Sequence, residues 1–141
     1  MLDIGPCHES LERKAGYTVD PGHYMRVARF QKWRKIGYTF NPRNPKTDSE
    51  LHGPRWYRFV GGKLPDTTVE DRSCGTKYPA WIKEEGHPKP EDGIVDRTVC
   101  FGTNCTEETQ IKVAACNISS ESFYIYELEK TLDNDSGYCY E

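Results

Sequence analysis

No part of the 141-residue sequence is apolar enough to cross a membrane as a helix, since no stretch reaches the ~18 consecutive apolar residues that such a helix needs. Signatures of common enzyme classes are also missing: G-x-S-x-G, the P-loop, G-x-G-x-x-G and H-E-x-x-H do not occur. The four histidines are scattered, at positions 8, 23, 52 and 87. The sequence therefore predicts a non-enzymatic protein with no cofactor and no membrane span.

Spacings suited to a structural metal are scarce too. Zinc sites need close cysteine pairs such as C-x-x-C, and the one close pair here is Cys100-x4-Cys105. Residues 133–137 have the opening rhythm of a calcium loop, but the sequence ends at Glu141, before a twelfth-position ligand. We interpret that segment as a turn and predict no metal site.

The composition is that of a small soluble domain spanning residues 1–141. Apolar residues make up 35% and aromatic residues 12% of the chain, enough for a modest core built from large rings. The net charge of −3 argues against a nucleic-acid-binding protein. Residues 1–60 hold 11 Lys and Arg against 6 Asp and Glu (+5), and residues 61–141 hold 8 against 16 (−8). We expect these two halves to attract one another or to present opposite faces.

Six cysteines, an even number, occur in this turn-rich chain. They predict three disulfides, which persist in oxidising compartments, so we expect a secreted or extracellular protein. Residues 1–6 are no signal peptide, and we expect either that a signal was removed or that the start is incomplete. The cysteines are Cys7, Cys74, Cys100, Cys105, Cys116 and Cys139.

Residues 55–60, which lie between two glycine-containing turns, predict a strand. Alternation places Tyr57 and Phe59 on one face. Trp56, Arg58 and Val60 lie on the other. Because both faces carry large apolar area, we expect this strand to be central in its sheet.

The rest of the chain predicts a mainly β fold: a small, disulfide-stapled, β-rich single domain with long loops and little helix. Residues 94–101 alternate as a strand, and residues 110–116 and 123–128 form a hairpin across the loop 117–121. Residues 24–36 follow no consistent period and predict a short strand or a broken helix. Turn-rich or exposed segments are predicted at 41–50 and 74–82. The predicted core includes Trp56 or Tyr57, Phe59, Trp81, Val95 and Ile125.

A basic and aromatic run lies between residues 26 and 35. Cations interleaved with Phe30 and Trp33 are typical of surfaces that track a polyanion such as a sulfated glycan. The simpler interpretation is a solvated face that balances the acidic second half. The candidate binding residues are Arg26, Arg29, Lys32, Trp33, Arg34 and Lys35, and we expect the five basic ones to be partly exposed.

Three N-glycosylation sequons fall in predicted loops. They begin at Asn104, Asn117 and Asn134. Asn117, at the predicted hairpin tip, is the strongest candidate, because the Asn104 sequon has in its middle a cysteine needed for a disulfide.

From residue 50 onward the chain contains a series of distinctive blocks, which are Leu51-His52-Gly53, Trp56 to Gly61, Pro79-Ala80-Trp81, Gly86-His87-Pro88, Asp92 to Arg97, Cys100, Ile111 to Cys116, Phe123 to Tyr126 and Gly137-Tyr138-Cys139. Their order and spacing resemble the eight-cysteine extracellular domain of the uromodulin and pancreatic zymogen-granule glycoprotein type. The resemblance divides the chain into a uromodulin-type core, 51–141, and a divergent N-terminal part, 1–50. The family is shorter there, which suggests an insertion at 20–50.

The resemblance also implies a pattern of cross-links. The disulfides it implies are Cys7–Cys116, Cys74–Cys139 and Cys100–Cys105. Two further disulfides are absent, since the chain lacks the cysteines expected near Ser49, Thr67, Asn104 and Asp133. Loss in complete pairs is what a coherent disulfide fold predicts, because an orphan thiol would be reactive in an oxidising compartment.

In the resembled family the domain is a glycan-bearing platform of secreted or membrane-anchored glycoproteins, and its high-mannose chain acts as a decoy for bacterial pilus adhesins. The matching position here, residues 127–129, is not a sequon. The resemblance implies a secreted, non-enzymatic binding or display module in adhesion, matrix or host-defence type recognition, with an extracellular protein or glycan as partner. The alternative is a lectin or sulfated-polyanion-binding protein that uses residues 26–35. The oligomeric state stays open.

Overall fold

The computed structural model describes residues 25–26, 32–51, 53–59, 61–118 and 120–141. This part of the chain is mainly β, as predicted, and its helices are two short 3-10 turns, Lys32–Arg34 and Pro90–Asp92. No helix among these residues has the length and apolar character to span a membrane. The strands are β1 (Met25–Arg26), β2 (Arg55–Arg58), β3 (Tyr78–Lys83), β4 (Val95–Phe101), β5 (Glu107–Ile118), β6 (Glu121–Leu128) and β7 (Ser136–Gly137).

Across the described residues the strands form one sheet in the order β1-β2-β6-β5-β4-β3-β7. Its centre is the predicted antiparallel hairpin of β5 and β6. The predicted loop 117–121 is wrong at its ends, because pairing continues to Ile118 and Glu121. This leaves a tight turn in which Ser120 has a φ of 69°, the left-handed conformation that two-residue hairpin turns use.

Strand β2 leads into a segment with buried side chains on both faces, as the sequence predicts. Tyr57 and the adjoining Phe59 enter the largest core cluster of the described residues. On the opposite face Trp56 packs with Ala114 and Ile125. The strand has neighbours on both sides, but β1 pairs with it through only two residues. It is therefore an internal strand and not an edge strand, as predicted, although it lies nearer to one end of the sheet than β5 does.

Strand β3 lies in the segment 74–82 that the sequence analysis treats as turn-rich. Its Ala80 and Ile82 are fully buried and pair with β4. Pro79 carries no N–H and lies beside the two-residue strand β7. A proline at the start of a strand costs few ladder hydrogen bonds, which is why this strand tolerates it.

The core differs from its prediction at two positions. Trp81 and Val95 are only half-buried. The indole N–H of Trp81 donates to the carbonyl oxygen of Gly102 at 2.8 Å, so its polar edge is satisfied at the margin of the core. The main cluster is Tyr57, Phe59, Leu64, Ala80, Ile82, Val99, Phe101, Ile111, Val113, Tyr126, Leu128, Tyr138 and Tyr140.

Two disulfides join described residues, and both are pairs that the resemblance implies. Cys74–Cys139 links positions 65 residues apart, whereas Cys100–Cys105 closes the turn between β4 and β5. The long-range disulfide packs against Trp33 in a small cluster of its own. It therefore ties the start of the described chain to its end.

Several predictions concern residues outside the described part of the chain. These residues are Cys7 and Arg29, together with the side chain of Arg26. Cys116 is disulfide-bonded. Its pairing with Cys7 stays a prediction.

We expect the two described disulfides to differ in their effect on stability. In the loop-entropy model, cross-links across these separations constrain the unfolded chain by about 4 kcal/mol for Cys74–Cys139 and about 2 kcal/mol for Cys100–Cys105. The Cys74→Ala/Cys139→Ala variant should therefore lose about 2 kcal/mol more than Cys100→Ala/Cys105→Ala. Denaturant unfolding of both variants measures the difference, and equal losses would contradict the expectation.

Candidate functional site

The 3-10 helix Lys32–Arg34 divides the predicted basic binding residues between interior and surface. Lys32 and Lys35 are exposed, whereas Trp33 and Arg34 retain only 9% and 2% of their exposure. Three residues per turn place positions 32 and 35 on one side of this helix. The prediction that Arg34 is partly exposed is therefore wrong, and the predicted binding residue Trp33 is buried beside it.

Arg34 is buried because it meets a set of well-placed acceptors. Its Nη1 and Nη2 donate to Oδ2 and Oδ1 of Asp48 at 2.7 and 2.6 Å. Nη1 also donates to the carbonyl oxygen of Tyr138 at 2.8 Å, and the backbone N–H of Tyr138 donates to Asp48 Oδ2 at 2.7 Å. Asp48 is 3% exposed, so the prediction of an exposed loop over 41–50 is wrong at this residue.

Removing one partner of this buried pair should be costly. Asp48→Ala leaves the Arg34 guanidinium uncompensated in the interior, and we expect a loss of about 3–5 kcal/mol in the free energy of unfolding. Asp96→Ala is the matched control, because its pair with Lys112 lies at the surface and should be worth at most about 1 kcal/mol. Denaturant unfolding compares the two, and a small loss in Asp48→Ala would show that the pair is dispensable.

The two exposed lysines of the basic segment line one shallow groove of about 420 Å³. Ile36, Gly37, Tyr38 and Tyr140 complete its lining. Of the predicted binding residues whose side chains are described, the groove thus brings together two and excludes two. Tyr38 and Tyr140 lie outside the predicted run and were not predicted. The turn after Lys35 brings Tyr38 to the lysines, and a β-bridge with Lys35 brings Tyr140 to them.

The side chains of Asn104, Asn117 and Asn134, the three sequon asparagines, are exposed. Asn104 lies in the turn before β5. Asn117 lies near the far end of β5, ten residues and about 33 Å from Glu107, the first residue of the strand, at 3.3 Å per residue. Asn134 follows Asp133, whose side chain contacts Glu107 at the start of β5. The sequons therefore occupy both ends of the longest described strand.

Hydrogen bonds link the side chains of Asp66, His87 and Tyr126 in a chain that the sequence did not predict. His87 Nδ1 lies 3.2 Å from Asp66 Oδ2, and His87 Nε2 lies 2.7 Å from Tyr126 Oη. The backbone N–H of Leu64 donates to Tyr126 Oη at 3.0 Å. The tyrosine hydrogen is therefore directed to Nε2, and Nδ1–H donates to the carboxylate.

The protonation of this chain is set by burial. Burial lowers the pKa of His87, although the Asp66 carboxylate opposes the shift. Burial alone would raise the pKa of Asp66, but the hydrogen bond from His87 and the charge of Lys63 outweigh it and lower that pKa. Burial also raises the pKa of Tyr126 well above its ordinary value. Tyr126 is fully buried and its raised pKa keeps it protonated, so its hydroxyl links β6 to Leu64 and His87 in the interior.

The lowered pKa of His87 predicts a pH dependence of stability. The unfolded chain binds the histidine proton near pH 6.5, before the folded protein does, so stability is lost as the pH falls below about 6.5. His87→Gln should therefore lose less stability between pH 7.5 and pH 5.5 than the unmodified protein. Melting temperatures at both pH values measure this, since the three other histidines titrate in both proteins. Equal slopes would remove His87 as the titrating group.

More than half of the chain matches a known protein family. The family model described as the uromodulin-like domain matches residues 57–140, more than half of the sequence. The pancreatic secretory granule membrane major glycoprotein GP2 of Rattus norvegicus is 39% identical over 98 residues, and the protein of that name from Canis lupus familiaris is 38% identical over 98 residues. Each match covers 65% of this chain but only 18% of the relative's length.

Proposed function

Since this chain belongs to the uromodulin-like domain family, we propose that it is a secreted, disulfide-stabilised, non-enzymatic module of an extracellular glycoprotein, which binds or displays groups in adhesion, matrix or host-defence type recognition. The observation that carries the proposal is the Cys74–Cys139 disulfide, whose two sulfurs belong to fully buried residues and join distant parts of the chain. Such a cross-link persists in oxidising compartments.

A display function is supported by the sequons. Asn104, Asn117 and Asn134 are exposed, so attached glycans would point into solvent from both ends of β5. Asn117 is the principal site in this proposal, because Cys105 in the middle of the Asn104 sequon is held in a disulfide. The position where the resembled family carries its decoy glycan has no sequon and includes the buried Leu128, so display would use other sites than the family's.

The non-enzymatic part of the proposal is supported by the relatives, which are glycoproteins named for no catalytic activity. Four surface grooves lined by described residues contain neither His87 nor Tyr126. The group of Cys100, Cys105 and Glu108 has metal-like proximity, but its two sulfurs are bonded to one another. A catalytic role would need an acid or base that a substrate can reach.

Expression through a secretory pathway tests the proposal. We expect an oxidised product whose mass falls on treatment with an N-glycosidase, with Asn117→Gln removing the largest share of glycan. Asn44→Gln is the matched control, since Asn44 is exposed but is followed by proline and forms no sequon. A secreted product with free thiols at Cys74 and Cys139, or one without glycan at all three sequons, would contradict the proposal. A glycan and extracellular-protein array then identifies the partner.

A further inference from the structure

The segment 32–38 makes two successive turns that align three side chains. The backbone N–H of Lys35 donates to Lys32 O at 3.2 Å, and the N–H of Tyr38 donates to Lys35 O at 3.0 Å. Residues three apart eclipse one another in the first, 3-10 turn, which places Lys32 beside Lys35, and the second turn, which passes through Gly37, reverses the chain to bring Tyr38 to them. Lys32, Lys35 and Tyr38 accordingly line the same groove.

The two turns pack against the small core cluster of Trp33 and the Cys74–Cys139 disulfide. Ile36 packs against the cluster of Trp33 and Cys74–Cys139, and its N–H donates to Tyr140 O at 2.8 Å. Gly37 has a φ of +103°, a conformation that other residues rarely adopt, and its N–H donates to the carbonyl oxygen of Ser73 at 2.7 Å. The groove is therefore largely pre-organised, which reduces the entropy lost when a ligand binds.

The groove is cationic and aromatic without a neutralising acid. Within the described part of the chain no carboxylate pairs with Lys32 or Lys35, whereas Lys83 and Lys112 on the sheet are each paired at 2.9–3.0 Å. Tyr38 keeps 45% of its surface exposed at one edge. An adjoining groove, lined by residues 37–42, shares Tyr38 and also has no acidic lining residue.

We propose that this groove binds a short acidic saccharide, and the proposal rests on the extracellular function proposed above. The ring of Tyr38 offers a face on which a sugar ring stacks, and Lys32 and Lys35 donate to its carboxylate or sulfate groups. The partner is a short saccharide rather than a long polyanion, because residues 61–141 carry a net −8 that repels an extended chain of charges. A nucleic acid fits less well, since only two free lysines and one exposed tyrosine line the groove.

Binding of defined saccharides to the oxidised, glycosylated protein tests this, by calorimetry in low salt. The probes are sialyllactose, a sulfated heparin tetrasaccharide, neutral lactose and a single-stranded oligonucleotide matched in charge to the tetrasaccharide. We expect binding of at least one of the two acidic saccharides, no binding of lactose, and loss of affinity with added salt. Which acidic probe binds distinguishes a carboxylated from a sulfated source.

Matched variants locate the binding. Lys32→Glu/Lys35→Glu should weaken it at least about tenfold, because two contacts to charged groups are lost. Tyr38→Ala should also weaken it, and Tyr38→Phe should retain it. The control is Lys89→Glu/Lys130→Glu, which changes the net charge equally at two exposed lysines outside the groove.

Three results would overturn the inference: equal weakening by the control pair, equal binding of the oligonucleotide, or no binding of either acidic saccharide. A protein that is secreted, oxidised and glycosylated but binds neither acidic saccharide overturns this inference alone. A protein that is reduced and unglycosylated overturns the proposed function first.

Discussion

The buried ion pair between Arg34 and Asp48 joins three parts of the chain that are far apart in sequence. Taking two charges out of water is expensive, and the cost is offset only where the geometry is close and the remaining donors and acceptors are satisfied. Both conditions hold here, because the bidentate contact is completed by the carbonyl and the N–H of Tyr138. Cys139 follows Tyr138 in the chain, and Trp33, which precedes Arg34, packs against the Cys74–Cys139 disulfide, so the ion pair and the disulfide together anchor the turns that present Lys32 and Lys35.

Hydrogen bonds connect the regions where the resembled family implies cysteines that this chain lacks. Near Ser49 and Asp133, the carbonyl of Asp48 accepts from the N–H of Thr131 at 3.1 Å. Near Thr67 and Asn104, Asp71 and Thr103 exchange two hydrogen bonds, at 3.0 and 2.7 Å. A net hydrogen bond contributes about 1 kcal/mol, less than a disulfide typically does. The remaining disulfides therefore carry a larger share of the stability.

The uneven charge of the sequence is resolved mostly within each half of the chain. Among the described ion pairs, only Arg58–Glu121 links residues 1–60 with residues 61–141. The ion pair of Arg34 with Asp48 lies inside the first half, and the sheet pairs of Lys83 and Lys112 lie inside the second. The expected attraction between the halves is thus a minor part of the pairing. Lys32 and Lys35 are among the described lysines that have no carboxylate partner, and they are the two that line the groove with Tyr38.

The sequence by itself determined the elements whose information is local. Alternation sufficed for β4, for the β5–β6 hairpin and for the two buried faces around β2, because a period of two reports which side chains face a core. Only the tertiary structure decided the rest. β3 was not predicted because its sequence contains Pro79, and whether a strand accommodates a proline depends on which strand lies beside it. Arg34 was predicted to be partly exposed and His87 was given no role, because a charged or polar group is buried only when a distant partner satisfies it. The groove also depends on a distant partner. Burial of Arg34 against Asp48 turns the neighbouring Lys32 and Lys35 toward solvent, where they line the groove.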